Sequence, residues 1–499
     1  MADLETKNSA VATEKSGERK VKMRSLALDL VPMGSDEENR MADLKVTKTL
    51  PEGIESKMLY SDIIHIAWPS LVELTLTQLA SMVDLMMVGQ LGPWALTAVG
   101  LTTQPKFLLM TMFMAMNVGA TAMVARYKGA GNQKKADEVL RQALLMTFIL
   151  GCVFAVIGFI AAPWLIKFMG ASEDHVLQAG VDYLRIQMIG LPGLALTSTI
   201  TATLRGVGNS KTAMIYNAMA NIINVFFNYM LIYGNFGAPR MEVAGASLAT
   251  IIGQYCAMFM AFYAVMNGRQ YIILRFRDGF KPNKEEIKKI VDIGAPAMVE
   301  QVVMRIGLII YTRTVAGLGT LPYAVHQVCL NIQSLSFMNG QAFAVSATSL
   351  TGQSLGKKRH DMAQAYTTRT RKLGMCVSIF LGVVFFFFGG QIVALYSGGD
   401  QSLVELGAVI MMFVAVVQPF QSSQLILAGA LRGAGDTKVT AAITFITVLL
   451  VRPALAIFAI NVLGMGLEGA WYALVTDQIL RSLLVLLRYN SGAWKRHTM

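Results

Sequence analysis

Apolar and polar positions alternate in long blocks along the chain. Stretches of roughly 20 mostly apolar residues, long enough to cross a membrane as helices, are separated by short polar segments. Lipid offers the backbone no hydrogen-bond partners, so each stretch should be helical. We therefore predict twelve spans, at 62–86, 96–124, 137–162, 180–203, 213–233, 243–266, 288–313, 322–351, 368–389, 403–429, 439–460 and 468–488.

The first half of this pattern recurs in the second half. Pro69 corresponds to Pro296 and Glu73 to Glu300 at the same offset along the chain, and this offset holds without a gap as far as Arg205 and Arg432. One offset held this far indicates two copies of one unit. Six helices per copy give both copies the same orientation. We predict an all-α membrane protein with two six-helix lobes, related by a pseudo-two-fold axis along the membrane normal.

Composition and charge exclude a large soluble protein. Of 499 residues, 54% are hydrophobic and 15% are charged, whereas soluble domains carry about 25% charged residues. The net charge of +12 comes mainly from loops that alternate along the chain, such as 126–135, 205–211, 268–289, 356–360 and 432–438. The positive-inside rule places these loops and both termini in the cytoplasm. We therefore expect these basic loops to face lipid head groups rather than nucleic acid. We also expect the protein to be a monomer.

Domain boundaries follow from the same pattern. Residues 1–57 are polar, mixed in charge and without clear periodicity, which is typical of a disordered segment. We expect a protein that lacks residues 1–40 to insert and to function normally. The predicted units are a cytoplasmic tail (1–57), an N-terminal lobe (58–266), a cytoplasmic linker (267–289), a C-terminal lobe (290–489) and a short cytoplasmic tail (490–499).

Carboxylates inside the spans are the first candidate functional residues, because a charge at membrane depth is costly. Glu73 and Asp84 lie eleven residues apart in the first span, and eleven steps of about 100° return to the same helix face. Glu300 is the repeat counterpart of Glu73. We expect Glu73 and Glu300 to face a cavity between the lobes and to attract cationic substrates. The alternative is a carboxyl group held in a buried hydrogen-bond network.

Four asparagines form a second polar face. Asn217, Asn221, Asn224 and Asn228 follow each other at spacings of 4, 3 and 4 in one apolar span. Their amides could coordinate a cation or bind a ligand, or could hold helices together. The expected substrate cavity comprises Glu73, Gln78, Asn217, Asn221, Glu300, His326 and Gln327. A purely structural role is the alternative for His326.

Several signatures are missing from the sequence. It contains no phosphate-binding GxxxxGK[ST] loop, no TVGYG selectivity filter, and no zinc-protease or nucleophile-elbow motif. These absences argue against an ATP motor, a potassium channel and a membrane enzyme. We therefore expect a secondary transporter without enzymatic activity and without an organic cofactor.

Four segments carry a resemblance to a known family. VDLMMVGQLG (83–92), LRGVGNSK (204–211), AVHQVCLNIQS (324–334) and LRGAGDTK (431–438) occur in this order at the repeat spacing. With them, residues 60–488 resemble the multidrug and toxic compound extrusion (MATE) transporters, in particular the bacterial ones. The resemblance implies a plasma-membrane antiporter that exports mostly organic cations in exchange for inward H⁺ or Na⁺.

The resemblance also implies where the ion binds. Asp84 matches the family's first-helix aspartate, and the partners it implies are Asn224, Asn228 and Thr250. The family pattern has a carboxylate at the position of Asn228. This departure leaves Asp84 as the single carboxylate of the implied ion site. Asp84 could bind a proton or Na⁺, and the missing second carboxylate favours the proton. Two alternatives remain open at this point, a lipid-linked oligosaccharide flippase of similar fold and a non-transporting membrane scaffold or receptor.

Overall fold

The computed structural model describes residues 26–34, 50, 53–170, 173–395 and 400–496. Twelve long helices dominate this part of the chain, as predicted, and ten of them are long and apolar enough to cross a membrane. The other two, α4 and α8, are of similar length but carry more polar positions. The helices are α1 (Ser56–Gly89), α2 (Pro93–Gly129), α3 (Gln133–Phe168), α4 (Asp174–Gly206), α5 (Ser210–Tyr233), α6 (Glu242–Met266), α7 (Lys284–Ala316), α8 (Thr320–Gly356), α9 (His360–Ala394), α10 (Gln401–Gly433), α11 (Thr437–Asn461) and α12 (Gly466–Asn490).

Tight turns with a glycine in the same backbone conformation join the fourth and fifth helices of each lobe. Gly208 and Gly435, which are repeat counterparts, adopt φ values of +80° and +85°, a region that glycine enters without steric cost. Asn209 follows Gly208 and caps α5, because its side-chain oxygen accepts a hydrogen bond from the backbone N–H of Thr212. Asp436, the counterpart of Asn209, instead pairs with Arg488 at 2.8 Å, so the feature shared by both turns is the glycine after the helix.

The two lobes, α1–α6 and α7–α12, meet through reciprocal contacts of α2 and α8. A carbon placed on Gly129 would lie 1.9 Å from the carbonyl oxygen of Gln353, and one placed on Gly356 would lie 1.9 Å from that of Arg126. The two glycines are repeat counterparts, and so are the two residues that they face. This exchange of contacts is what a two-fold axis produces, which agrees with the predicted parallel repeat.

Hydrogen bonds between the lobes gather at the end of the bundle that carries the Lys- and Arg-rich loops, here called the basic side. Ser349 Oγ and Gln353 Nε2 both donate to the carbonyl oxygen of Gly206, at 2.9 and 3.0 Å. Ser346 Oγ donates to the carbonyl oxygen of Ile63 at 3.1 Å. In this conformation the lobes are therefore closed on the basic side.

Helix α11 contains an irregular turn that its counterpart α5 lacks. Residues 445–451 form a π-helix between two α-helical segments, and α11 has 25 residues where α5 has 24. A π-turn accommodates one inserted residue within an α-helix. Arg452 follows this turn and, together with Arg481, contacts Asp477 at 3.0 and 3.1 Å. One carboxylate inside the second lobe thus faces two guanidinium groups.

The linker between the lobes is shorter than expected. Helix α7 begins at Lys284, so the last six residues of the predicted linker 267–289 are helical. The remaining part packs on the basic side of the first lobe. Asp137 accepts a hydrogen bond from the backbone N–H of Ile273 at 2.8 Å, and Arg141 forms an ion pair with Asp278 at 2.6 Å.

Part of the expected tail is docked between the lobes, so the prediction of disorder is wrong for residues 26–34. A short 3-10 helix, Ala27–Leu30, buries Ala27 and Leu28. Asp62 of α1 accepts hydrogen bonds from the backbone N–H of Ala27 at 2.8 Å and from Tyr366 of α9 at 2.9 Å. The prediction failed because the segment is polar overall, although four of its side chains are apolar and become buried against the folded bundle. These four residues are Leu26, Ala27, Leu28 and Val31. The rest of the predicted tail lies largely outside the described residues.

The docked segment predicts that two truncations will differ. A chain that starts at Met41 loses residues 26–34, whereas a chain that starts at Met23 keeps them. We expect the first truncation to lower the free energy of unfolding by about 2 kcal/mol, because buried Asp62 loses a donor and apolar contacts disappear. Thermal unfolding in detergent measures the difference. Equal melting temperatures for the two truncations would show that the segment contributes nothing.

Candidate functional site

A cavity of about 600 Å³ lies inside the first lobe, between α1, α2, α4, α5 and α6. Its wall is mostly apolar, and α1, α2 and α5 contribute most of its polar groups. Only two of the lining residues carry a charge, Asp84 on α1 and Lys106 on α2. The polar residues of the lining that bear on the predictions are Gln78, Asp84, Lys106, Asn217, Asn221, Asn224 and Thr250.

The two predicted polar faces meet each other. Asn217 Nδ2 donates to Glu73 Oε1 at 2.6 Å, and Asn221 Nδ2 donates to Thr77 Oγ1 at 3.2 Å. In both pairs the partners have the same separation along the chain, and so does the pair of Asn228 with Asp84. A constant separation means that α1 and α5 run parallel in fixed register. The asparagine face therefore holds α5 against α1 along its length.

Asp84 sits in a cradle of amide donors. Asn228 Nδ2 donates to its Oδ1. With the amide of Asn224 oriented so that its nitrogen faces the carboxylate, that nitrogen lies 2.9 and 3.1 Å from the two oxygens of Asp84, and its oxygen accepts from the backbone N–H of Thr250 at 3.2 Å. The four residues that the sequence assigned to ion coupling are thus brought together. Charge-assisted hydrogen bonds of this kind favour the ionised carboxylate.

The expected substrate set is only partly assembled. Gln78, Asn217 and Asn221 line the cavity. The other four members do not line it, since both glutamates are held in ion pairs and His326 is buried in the second lobe. These four residues are Glu73, Glu300, His326 and Gln327.

Glu73 and Glu300 are correctly related by the repeat, but each is paired within its own lobe. Arg205 contacts Glu73 at 2.8 Å and Arg432 contacts Glu300 at 2.7 Å. Both glutamates are nearly buried, with 5% and 4% exposed. A carboxylate already neutralised by a guanidinium attracts a cationic substrate far less. The sequence contained a signal for this pairing, because each Glu–Arg combination recurs at the same offset in both copies.

Because each glutamate is paired, we predict that replacing it lowers the stability of the protein. Glu300→Gln should lower the free energy of unfolding by about 3 kcal/mol, since it leaves the largely buried guanidinium of Arg432 without its carboxylate. Replacing both partners, with Glu300→Gln and Arg432→Gln together, should cost less than the single change. Thermal unfolding of the wild type, both single variants and the double variant gives the coupling. An additive result would contradict the ion pair.

His326 belongs to the core of the second lobe. It is fully buried, and its ring lies 5.5 Å from that of Tyr311 and 5.6 Å from that of Trp471. Tyr311 occupies the repeat position of Asp84, so the second lobe places an aromatic ring where the first lobe has its carboxylate. The candidate coupling site is therefore confined to the first lobe.

The residues around Asp84 also bear on metal binding. Within the ranges that the structure describes, no group of three or more His, Cys, Asp or Glu side chains converges as a metal site would require. The neighbours of Asp84 present amide nitrogens, which are donors, rather than the oxygens that hard cations prefer. If these amide groups turned, they would present oxygen instead of nitrogen to a cation at Asp84.

Comparison with known proteins places the chain in a family. The MatE family model matches it twice, over residues 69–230 and 296–458. A probable multidrug resistance protein NorM of Thermotoga maritima is 27% identical over 439 residues, covering 88% of this chain and 94% of that protein. The uncharacterized transporter YisQ of Bacillus subtilis is 26% identical, with 87% and 94% covered.

The fold is shared with solved structures. The structure titled as the outward-facing conformation of a multidrug resistance MATE family transporter has a TM-score of 0.82 at 21% sequence identity, covering 90% of this chain and 100% of that one. The second family match is one residue longer than the first, in agreement with the inserted residue in α11. The two matches, the ungapped repeat and the common fold together show that this chain belongs to the MatE family of multidrug efflux transporters.

Proposed function

We propose that the protein exports small organic molecules by antiport, with Asp84 as the group that alternately binds the coupling cation and releases it. The observation that carries this proposal is a single carboxylate in the wall of a cavity large enough for a small-molecule ligand. Asp84 is the only acidic residue of that wall. A change in its charge therefore alters the electrostatics of the whole cavity.

The amide cradle suits a group that changes its protonation state. Ionised Asp84 accepts hydrogen bonds from Asn224 and Asn228. A protonated carboxyl group becomes a donor, and an asparagine that turns its amide presents an acceptor oxygen to it. Both states can thus be satisfied with modest movement. Such a change shifts the conformational equilibrium only if the cation binds one conformation better than the other.

Coupling to export follows from competition for the same cavity. Asn221 and Gln78 line it beside Asp84, so substrate and cation share one space. When a cation neutralises Asp84, a substrate held by its charge binds more weakly and leaves. Organic cations fit this scheme through Asp84 alone, because Glu73 and Glu300 are both paired. The single lysine of the wall offers little to the phosphates of a lipid-linked oligosaccharide, which argues against a flippase.

The orientation follows from charge. We propose that the basic side, with the loops 126–135, 205–211 and 356–360, faces the cytoplasm of a cell with this protein in its plasma membrane. The conformation with the lobes closed on the basic side is then the one that faces outward. A monomer suffices, because one lobe contains the whole candidate site.

Purified protein in proteoliposomes tests the proposal. An imposed pH gradient and an imposed sodium gradient are applied separately, and the movement of a fluorescent organic cation is followed. Transport driven by at least one gradient, and accelerated counterflow of the ion, is the expected result. Substrate movement that neither gradient changes would refute antiport, and a protein without any flux would support a scaffold or receptor.

A further inference from the structure

Lys106 is the one charged residue of the cavity wall that the coupling scheme leaves without a role. It lies on α2, directly after Pro105, and shares the wall with Asp84 of α1. The two charged side chains line the same cavity, although no direct ion pair joins them in this conformation. Elsewhere in the described part of the chain, no carboxylate is paired with Lys106 through an ion pair or a hydrogen bond.

Helix geometry directs the two side chains toward each other. Helices α1 and α2 are consecutive and antiparallel, and side chains lean toward the N-terminus of their own helix. Asp84 lies near the end of α1 and leans toward the membrane centre. Lys106 lies more than three turns after the start of α2 at Pro93, and leans back toward the level of Asp84. A long flexible lysine can therefore approach the carboxylate when the cavity narrows.

Comparison of the two repeat copies shows that Asp84 and Lys106 are both present in the first lobe and both replaced in the second. At the repeat offset, Asp84 corresponds to Tyr311 and Lys106 to Gln333. The second lobe thus lacks both the carboxylate and the lysine. Gln333 is buried and donates to Gln421 at 3.4 Å, so a neutral amide at this position is compatible with the fold. The joint presence in one lobe and joint absence in the other indicate that Lys106 acts on Asp84.

We propose that Lys106 selects the coupling ion, excluding Na⁺ from Asp84 and leaving the proton as the ion exchanged for substrate. This inference rests on the proposed function of Asp84. In the narrowed cavity, which the substrate has left, the ammonium group opposes a second cation at Asp84, because charges interact strongly in a medium of low polarity. A proton still binds, since it forms a covalent O–H bond with one carboxylate oxygen. Sodium forms no covalent bond and is held by electrostatic attraction to several oxygen ligands, as hard cations are. The lysine repels the sodium ion and occupies the carboxylate oxygens that would bind it.

Sodium binding can be measured without transport. An ion that binds the native state raises its thermal stability, so melting temperatures are compared in NaCl and in choline chloride of equal concentration at pH 8. Wild-type protein should melt at the same temperature in both salts. Lys106→Gln should bind Na⁺ at least about tenfold more tightly than wild type, as expected from removing one nearby like charge, and its melting temperature should rise in NaCl only.

Three further variants make the result specific. Lys106→Gln combined with Asp84→Asn should lose the sodium effect, because no carboxylate remains to bind the ion. Lys106→Arg keeps the charge and should resemble wild type. Lys167→Gln removes a lysine at the exposed end of α3, away from the cavity, and should also show no sodium effect.

Two outcomes would overturn the proposal. One is a sodium-specific stabilisation of the wild type that Asp84→Asn abolishes, which would show that Lys106 does not exclude the ion. This test remains available even if Lys106→Gln does not fold. The other is a folded Lys106→Gln protein that gains no sodium response. Neither outcome depends on flux, so both are distinct from a failure of antiport itself, which the proteoliposome assay reports.

Discussion

Asp84→Asn should abolish gradient-driven export while leaving the protein folded. The asparagine has nearly the shape of the protonated aspartic acid and retains its hydrogen-bonding capacity, so Asn224 and Asn228 keep their partner. It can no longer gain or lose a charge. The cavity then stays in one electrostatic state, and an ion gradient has nothing to act on. We expect the gradient-driven rate in proteoliposomes to fall to the level of protein-free vesicles, with a melting temperature close to that of wild type.

A matched control lies on the same helix. Thr77→Val removes the hydroxyl group that accepts from Asn221, but not the carboxylate. It should reduce substrate binding modestly and retain the dependence of flux on the imposed gradient. Full coupled export by Asp84→Asn would refute the mechanism. Export by wild type that a sodium gradient alone drives would instead refute proton coupling and leave the site in place.

Gly129→Ala should have the second large effect, because it destabilises the conformation in which the lobes are closed on the basic side. The added carbon would lie within 3 Å of three backbone atoms of Gln353, the nearest at 1.9 Å. Backbone cannot rotate away as a flexible side chain can, so the lobes must separate on the basic side. Overpacking of this kind costs about 1–3 kcal/mol. The conformation closed on the basic side would then lose population by about fivefold or more, since about 1.4 kcal/mol corresponds to a factor of ten.

Export rates and thermal unfolding together measure this effect. Gly100→Ala is the matched control, because it makes the same change on the same helix at a position with nothing within 4 Å. It should be neutral or slightly stabilising, as alanine is the better helix former. Gly356→Ala, the repeat counterpart, should reproduce the defect of Gly129→Ala. If Gly129→Ala behaves like Gly100→Ala, the close packing of α2 against α8 does not contribute to transport.

The architecture follows from patterns along the sequence. Membrane spans are long and obligatorily helical, so apolar run length alone predicted twelve helices, and the single ungapped offset between the two halves predicted the parallel two-lobe repeat. The sequence also named Asp84 as a candidate, because a carboxylate in lipid is costly, and the family resemblance implied its role together with Asn224 and Asn228. The structure brings the three side chains together, and their role in ion coupling stays a prediction. Each of these signals is local or regularly repeated along the chain.

The pairing of the polar groups, in contrast, depends on which helices pack together. Glu73 was expected to face a cavity, but Arg205, far away in the sequence, neutralises it. The asparagine face was open to three interpretations until α5 was seen to lie parallel to α1. Residues 26–34 were predicted to be disordered because a polar segment with a few apolar side chains has no partner until Asp62 and Tyr366 are brought together. Periodicity specifies which face of a helix is polar, but the packing of helices distant in sequence decides which charge it meets, and therefore which carboxylate remains available to bind an ion.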